Sequence, residues 1–101
     1  MRLVVAIVKP ATVECVRQAL AAVHVTRLTI CDAHEYDLGS PGALAQETIL
    51  EIAVNEDFLE RTVTTLAEVI AALGPESGRF FVLPIDQAVQ IYRDVRGPEA
   101  V

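Results

Sequence analysis

An α+β sandwich with strands and helices in the order β-α-β, β-α-β is the fold class this sequence predicts. Three observations carry that expectation. Two strand-like apolar runs, Arg2–Val8 and Glu47–Val54, are each followed by a stretch with helical apolar spacing. A Gly-Ser-Pro-Gly cluster at residues 39–42 separates two halves of similar pattern. The chain has 101 residues, the length of one domain, and 52% of them are hydrophobic, enough for a core.

The elements follow in order. "RLVVAIV" (Arg2 to Val8) is rich in β-branched residues and closes at Lys9-Pro10, which predicts a strand. Thr12 is placed to cap a helix whose apolar stripe is Val13, Val16, Leu20 and Val23. His24 ends that helix, where a cation suits the dipole. Arg27–Tyr36 reads as the second strand, residues 37–47 as a loop, and Glu47–Val54 as the third strand. Asn55 is the expected N-cap of the second helix, with Glu56 and Asp57 in its first turn. Its stripe is Leu59, Val63, Leu66, Ile70 and Leu73, and Gly74-Pro75 stops it. Arg79–Leu83 is the fourth strand, closed by Pro84. "IDQAVQIYR" reads either as a helical turn leading to a strand or as a strand alone, and the polar tail, residues 93–101, as extended. Together these make the ferredoxin-like βαββαβ plan, in a single domain spanning residues 1–101.

In that plan both helices cover one face of the sheet, so the strands should alternate apolar and polar. They do not. Leu3, Val5 and Ile7 are apolar, as are Val4, Ala6 and Val8, and Phe80–Leu83 is apolar on both sides. No third helix is available to cover a second apolar face, which predicts self-association into a closed homo-oligomer.

The net charge of −6 and pI near 4.7 weigh against nucleic acid as a partner. No apolar run reaches the length of a membrane span, and "RLVVAIV" is too short for a signal peptide. Cys15 and Cys31 have no motif spacing and are expected as half-buried reduced thiols, which suits the cytoplasm. "CDAHE" invites a metal reading. On a strand, however, Cys31 and His34 point to opposite faces, and only Asp32, His34 and Tyr36 share one. A solvated strand end is the plainer reading, with no metal site. Ser40 and Ser77 lack the His–carboxylate company of a nucleophile, so no enzyme is expected.

The segments "VVAIVKP", "LEIAVNED", "GRFFVLPIDQAV" and "RGPEAV" lie along the whole chain, and together they resemble the P-II signal-transduction family. The resemblance implies a ferredoxin-like homotrimer that binds adenine nucleotide between subunits. It implies signalling by contact with a transporter or enzyme through a loop between strands two and three. By that resemblance Ile7, Leu28, Thr29, Glu51 and Phe81 fall at base and ribose positions, and Gly78 and Arg79 at phosphate positions, while Tyr92 offers a stacking face. Leu28 stands where a methionine is usual, and Arg27 where a glycine is.

The phosphate side departs further. The family's glycine-rich segment reads "ALGPESGR" here, Ala72 to Arg79, with Glu76 in place of a glycine whose backbone would approach the phosphates. Two phosphate arginines become Gln90 and Tyr92, the lysine at the loop base becomes Glu47, and "EYDLG" replaces "GFGRQ". Losing two or three charge-assisted contacts, at roughly 1.5–3 kcal/mol each, disfavours ATP with magnesium. Arg93 and Arg96 are the nearest substitutes. The loop is also shorter than the family's long loop by about eleven residues. The expectation is a short-loop, P-II-like sensor of ADP or AMP, with bicarbonate as a further ligand at Arg79 or Arg93. No cofactor is tightly bound, and the setting leans to inorganic-carbon metabolism of the carboxysome-associated type. The alternatives are a ligand-free trimeric protein-binding scaffold and a metal-responsive CutA-like trimer.

Overall fold

The computed structural model describes residues 1–40, 42 and 44–101. Pro41 and Ala43 of the expected loop lie outside them. Four antiparallel strands form the main sheet: β1 (Arg2–Val8), β2 (Thr29–Tyr36), β3 (Leu44–Val54) and β4 (Gly78–Pro84). Their order is β2-β3-β1-β4, so each β-α-β unit brackets a strand of the other. The ferredoxin-like plan is thus as expected.

Both helices, α1 (Val13–Ala22) and α2 (Glu56–Leu73), cover one face. Val4, Ala6 and Val8 of β1 and Leu50, Ile52 and Val54 of β3 are buried there against Val16, Leu20 and Leu66. The alternate residues Leu3, Val5, Ile7, Ile49, Phe81 and Leu83 project from the opposite face, which no helix covers. Phe81 is 50% exposed and Leu83 44%. The two-sided strand pattern therefore has the physical cause inferred from it, an apolar face left open by this chain alone.

Local chemistry corrects several expectations. Thr12 does not cap α1 through its side chain. It lies in a short 3-10 turn, Pro10–Thr12, and its Oγ1 donates to the Lys9 carbonyl at 2.7 Å. The helix ends in a Schellman arrangement: Val25 N–H donates to Leu20 O and His24 N–H to Ala21 O, with His24 left-handed at φ 68°. Burial of Val25 beside Leu20 holds a non-glycine residue in that conformation. Asn55 occupies the N-cap position of α2, but its Nδ2 donates to Pro98 O at 3.0 Å. The buried line of α2 runs through Thr62 and Leu66, flanked by Phe58, Leu59, Val69 and Ile70, whereas Leu73 is exposed. Thr62 tolerates complete burial because its hydroxyl donates to Phe58 O at 2.7 Å.

Both cysteines are exposed, not half-buried. Cys15 is off the α1 stripe, and Cys31 lies on the uncovered sheet face. β2 begins at Thr29, not Arg27, and β3 begins at Leu44, earlier than expected, because the ladder runs on through Tyr36↔Leu44. The loop expected over residues 37–47 thus shrinks to residues 37–43. The C-terminal segment is not extended. Val89–Gln90 (β5) pairs with Val95–Arg96 (β6), and Gly97–Ala100 makes a 3-10 turn. No helix of the described residues is long and apolar enough to cross a membrane.

Candidate functional site

The open face arranges the expected binding residues in rows. Thr29 pairs with Glu51, Glu51 with Val5, and Val5 with Phe81, so these four cross the sheet in one line. The next row runs from Cys31 through Ile49 and Ile7 to Arg79, and Gly78 sits opposite Val8. At ~4.8 Å per strand, Thr29 and Phe81 are about 14 Å apart in backbone terms, too far to grip one base together. The structure therefore divides the residues into two groups: Leu28, Thr29 and Glu51 toward the β2 edge, and Gly78, Arg79 and Phe81 along the β4 edge.

The β2-side group lines a cleft of about 580 Å³, shared with Arg27, Asn55, Gln90 and Arg93. Neither Arg27 nor Arg93 is in an ion pair among the described residues. Asn55 Oδ1 and Gln90 Oε1 are buried without a hydrogen-bond partner. The Pro98 contact fixes the Asn55 amide, so its Oδ1 is an acceptor that a donor in the cleft would satisfy. Sequence reasoning treated Gln90 only as a lost arginine and Asn55 only as a cap. Their shared burial depends on the C-terminal fold, which no local pattern announces.

On the β4 side the segment Ala72–Arg79 is closed on itself. Gly74, at φ 109°, ends α2, and Ser77 donates through N–H to Gly74 O and through Oγ to Ile70 O. Lys9 N–H donates to Ser77 O at 3.0 Å. Gly78 has a packing reason to be glycine, since a Cβ there would meet Val8 Cγ1 at 2.8 Å and Ile7 O at 3.0 Å. Tyr92 is 78% exposed on the turn between β5 and β6 and does not line the cleft.

Arg79 is not free. Its guanidinium donates to Glu35 Oε1 in an ion pair. In the ladder these residues start three strands apart, and Glu35 lies four residues beyond the row of Arg79. Their side chains can meet only if the arm of the β2–β3 hairpin curls across the end of β1 toward β4, in the sense in which sheets coil. Glu47, on the inner side of this arm, is buried. The arm carries Tyr36, Leu38 and Leu44, all exposed, with Leu38 at 93%. Asp37 orders its first turn by accepting from Gly39 N–H at 2.9 Å.

Asp32, His34 and Tyr36 do share one strand face. Among the described residues no three His, Cys, Asp or Glu side chains are grouped as a metal ion would require.

Comparison with known proteins gives consistent findings. The family model described as "Nitrogen regulatory protein P-II" matches residues 1–95. The nitrogen regulatory protein GlnK1 of Methanosarcina mazei is 31% identical over 120 aligned positions, covering 100% of this chain and 97% of that protein. The nitrogen regulatory protein P-II of Rhizobium etli is 30% identical, with full coverage of both chains. That alignment spans 112 positions against the 101 residues here, a deficit of 11. The crystal structure of Arabidopsis thaliana PII bound to citrate superposes with a TM-score of 0.85 at 25% identity, covering 99% of this chain and 91% of that one.

Proposed function

The chain belongs to the nitrogen regulatory protein P-II family, and on that premise we propose that it is a non-enzymatic, homotrimeric sensor of ADP or AMP. The observation that carries this reading is the row Thr29–Glu51–Val5–Phe81, which runs from the β2 edge to the β4 edge of one uncovered face, so that the expected binding residues fall at two opposite edges. A head-to-tail contact brings the β4 edge of one copy to the β2 edge of the next, and such contacts close into rings. Three composite sites result, with the apolar face at their centre. The base and ribose bind at Leu28, Thr29 and Glu51, where Asn55 Oδ1 and Gln90 Oε1 await N–H or O–H donors. Ile7 and Phe81 of the next copy close over the nucleotide, with its phosphates toward Gly78 and Arg79. Tyr92 reaches the nucleotide only if its turn swings inward.

The phosphate side favours few charges. Arg79 must leave Glu35 to meet a phosphate, and the segment before it uses its own backbone groups. ADP or AMP therefore fits better than ATP with magnesium, and bicarbonate is small enough to sit at Arg79 or Arg93. The β2–β3 arm reports the bound state to a transporter or enzyme by contact. The deficit of 11 aligned positions is the size expected for a shortened loop there, a feature that suits an inorganic-carbon, carboxysome-associated role. A second reading, a ligand-free scaffold, is favoured by the Glu35–Arg79 pair alone.

Calorimetric titration with AMP, ADP, ATP, 2-oxoglutarate and bicarbonate tests the proposal. The expected result is saturable ADP or AMP binding that magnesium–ATP does not exceed. Responses weaker than millimolar for every nucleotide would leave the scaffold reading standing.

A further inference from the structure

The Glu35–Arg79 pair joins the β2–β3 arm to the cation at the start of β4. Arg79 belongs to the sheet: it is held in register against Ile7, next to a glycine that packs closely on Val8. Glu35 belongs to the arm, in the β2–β3 hairpin that ends in the exposed Tyr36, Leu38 and Leu44. The contact spans 44 positions of sequence and is the sole ion pair among the described residues that ties the arm to β4.

We propose that Glu35 is a built-in competitor for the anion site at Arg79: its carboxylate occupies the guanidinium until an anionic ligand displaces it, and the displacement releases the hairpin arm. The inference rests on the nucleotide reading above and names how that site is regulated. A carboxylate and a phosphate oxygen present the same acceptor geometry to a guanidinium fork, so they compete for the same donors. The two partners are about half exposed, with side chains 52% and 42% accessible. An ion pair of that kind is weak, so a ligand phosphate can replace it and small ligands can shift it. Binding at one end of the arm is thereby coupled to the pose of the apolar residues at the other, and the coupling is reciprocal. A partner that captures the released arm must raise the affinity for the anion.

Two measurements on the intact protein test this. Removing the competitor by Glu35→Gln is expected to tighten ADP binding about two- to fivefold, the factor that a weak exposed pair represents. Asp32→Asn, which removes the same charge from the opposite strand face, should leave ADP affinity within error. Hydrogen exchange of the Thr29–Tyr36 strand, followed by mass spectrometry without ligand, should accelerate equally in Glu35→Gln and Arg79→Gln, with no further gain in the double variant. Saturating ADP should produce the same acceleration in the wild type. If exchange is the same in all four forms, the latch is overturned whatever the nucleotide does. If ADP binds wild type and Glu35→Gln equally, the competition is overturned while the nucleotide reading stands. If ADP binds neither form, the nucleotide reading fails and the displacement step fails with it.

Discussion

Val5→Asp on the open sheet face should convert the proposed trimer to a folded monomer. Val5 sits mid-row between Glu51 and Phe81, on the face that no helix covers. The attraction it opposes is set by its neighbours. Half of Phe81 is exposed, or about 100 Å² of a large aromatic. Buried at ~25 cal/mol per Å², that area contributes about 2.5 kcal/mol. Leu83, 44% exposed or about 80 Å², adds about 2 kcal/mol by the same rule. Over three copies these two side chains supply about 13 kcal/mol of the association energy. An aspartate buried in their midst must be neutralised. Taking a carboxyl from its ordinary pKa near 3.9 to neutrality at pH 7 costs about 4 kcal/mol per copy, or about 12 kcal/mol per trimer. The penalty cancels nearly all of the gain from these two neighbours. In the separate subunit the same aspartate faces water, so the fold survives. Light scattering on a sizing column should give three times 10.9 kDa for the wild type and 10.9 kDa for the variant. A monomeric wild type at micromolar concentration, or an unperturbed trimer in Val5→Asp, would mean that the open face is not the subunit interface.

Other consequences can be measured on the same material. Leu66→Ala removes a fully buried side chain between α2 and the sheet and should cost about 2–5 kcal/mol in urea unfolding. Gly78→Ala drives a Cβ to 2.8 Å from Val8 Cγ1, so it should lose about 1–3 kcal/mol of stability without any nucleotide present, as an effect of packing. The Glu56 carboxyl is held below its ordinary 4.5 by a hydrogen bond from Arg2. A lowered folded-state pKa gives stability that is present above the unfolded value and fades as pH falls below 4.5 and through the folded one. Arg2→Gln should therefore narrow the difference between urea midpoints at pH 7 and pH 3.

The topology was readable because its signals are local and repeated. β1, β3 and β4 are apolar runs bounded by proline, asparagine or glycine, and α2 carries its cap position and its stop. The open face was readable for a subtler reason: strands apolar on both sides contradict a two-layer sandwich unless something covers the second face. Other features turned on contacts that no window of sequence contains. Ala45-Gln46 looks like loop, yet pairing with Glu35 and His34 makes it strand. Thr62 looks like surface, yet one hydroxyl bond to Phe58 O makes it core. His24 carries no glycine signal for its left-handed turn. Of the residues the resemblance names, Leu28, Thr29 and Glu51 line one cleft, while Tyr92 lies outside it. The pairing of Arg79 with Glu35 was hidden by sequence distance. Its one trace was a carboxylate standing where the family resemblance implies a glycine.

If one ligand site is built from two copies of this chain, subunit mixing will restore it. Thr29→Asp crowds the base and ribose positions and sets a second carboxylate beside Glu51, whereas Arg79→Gln removes the phosphate-side cation, and both positions are exposed. Each variant alone should fail to bind ADP. Unfolded together in equal amounts and refolded, they should regain binding at about a quarter of the sites, the statistical share at which two intact halves meet across a head-to-tail contact. Mixtures that bind no more ADP than either parent would contradict a shared site and place the whole of it within one subunit.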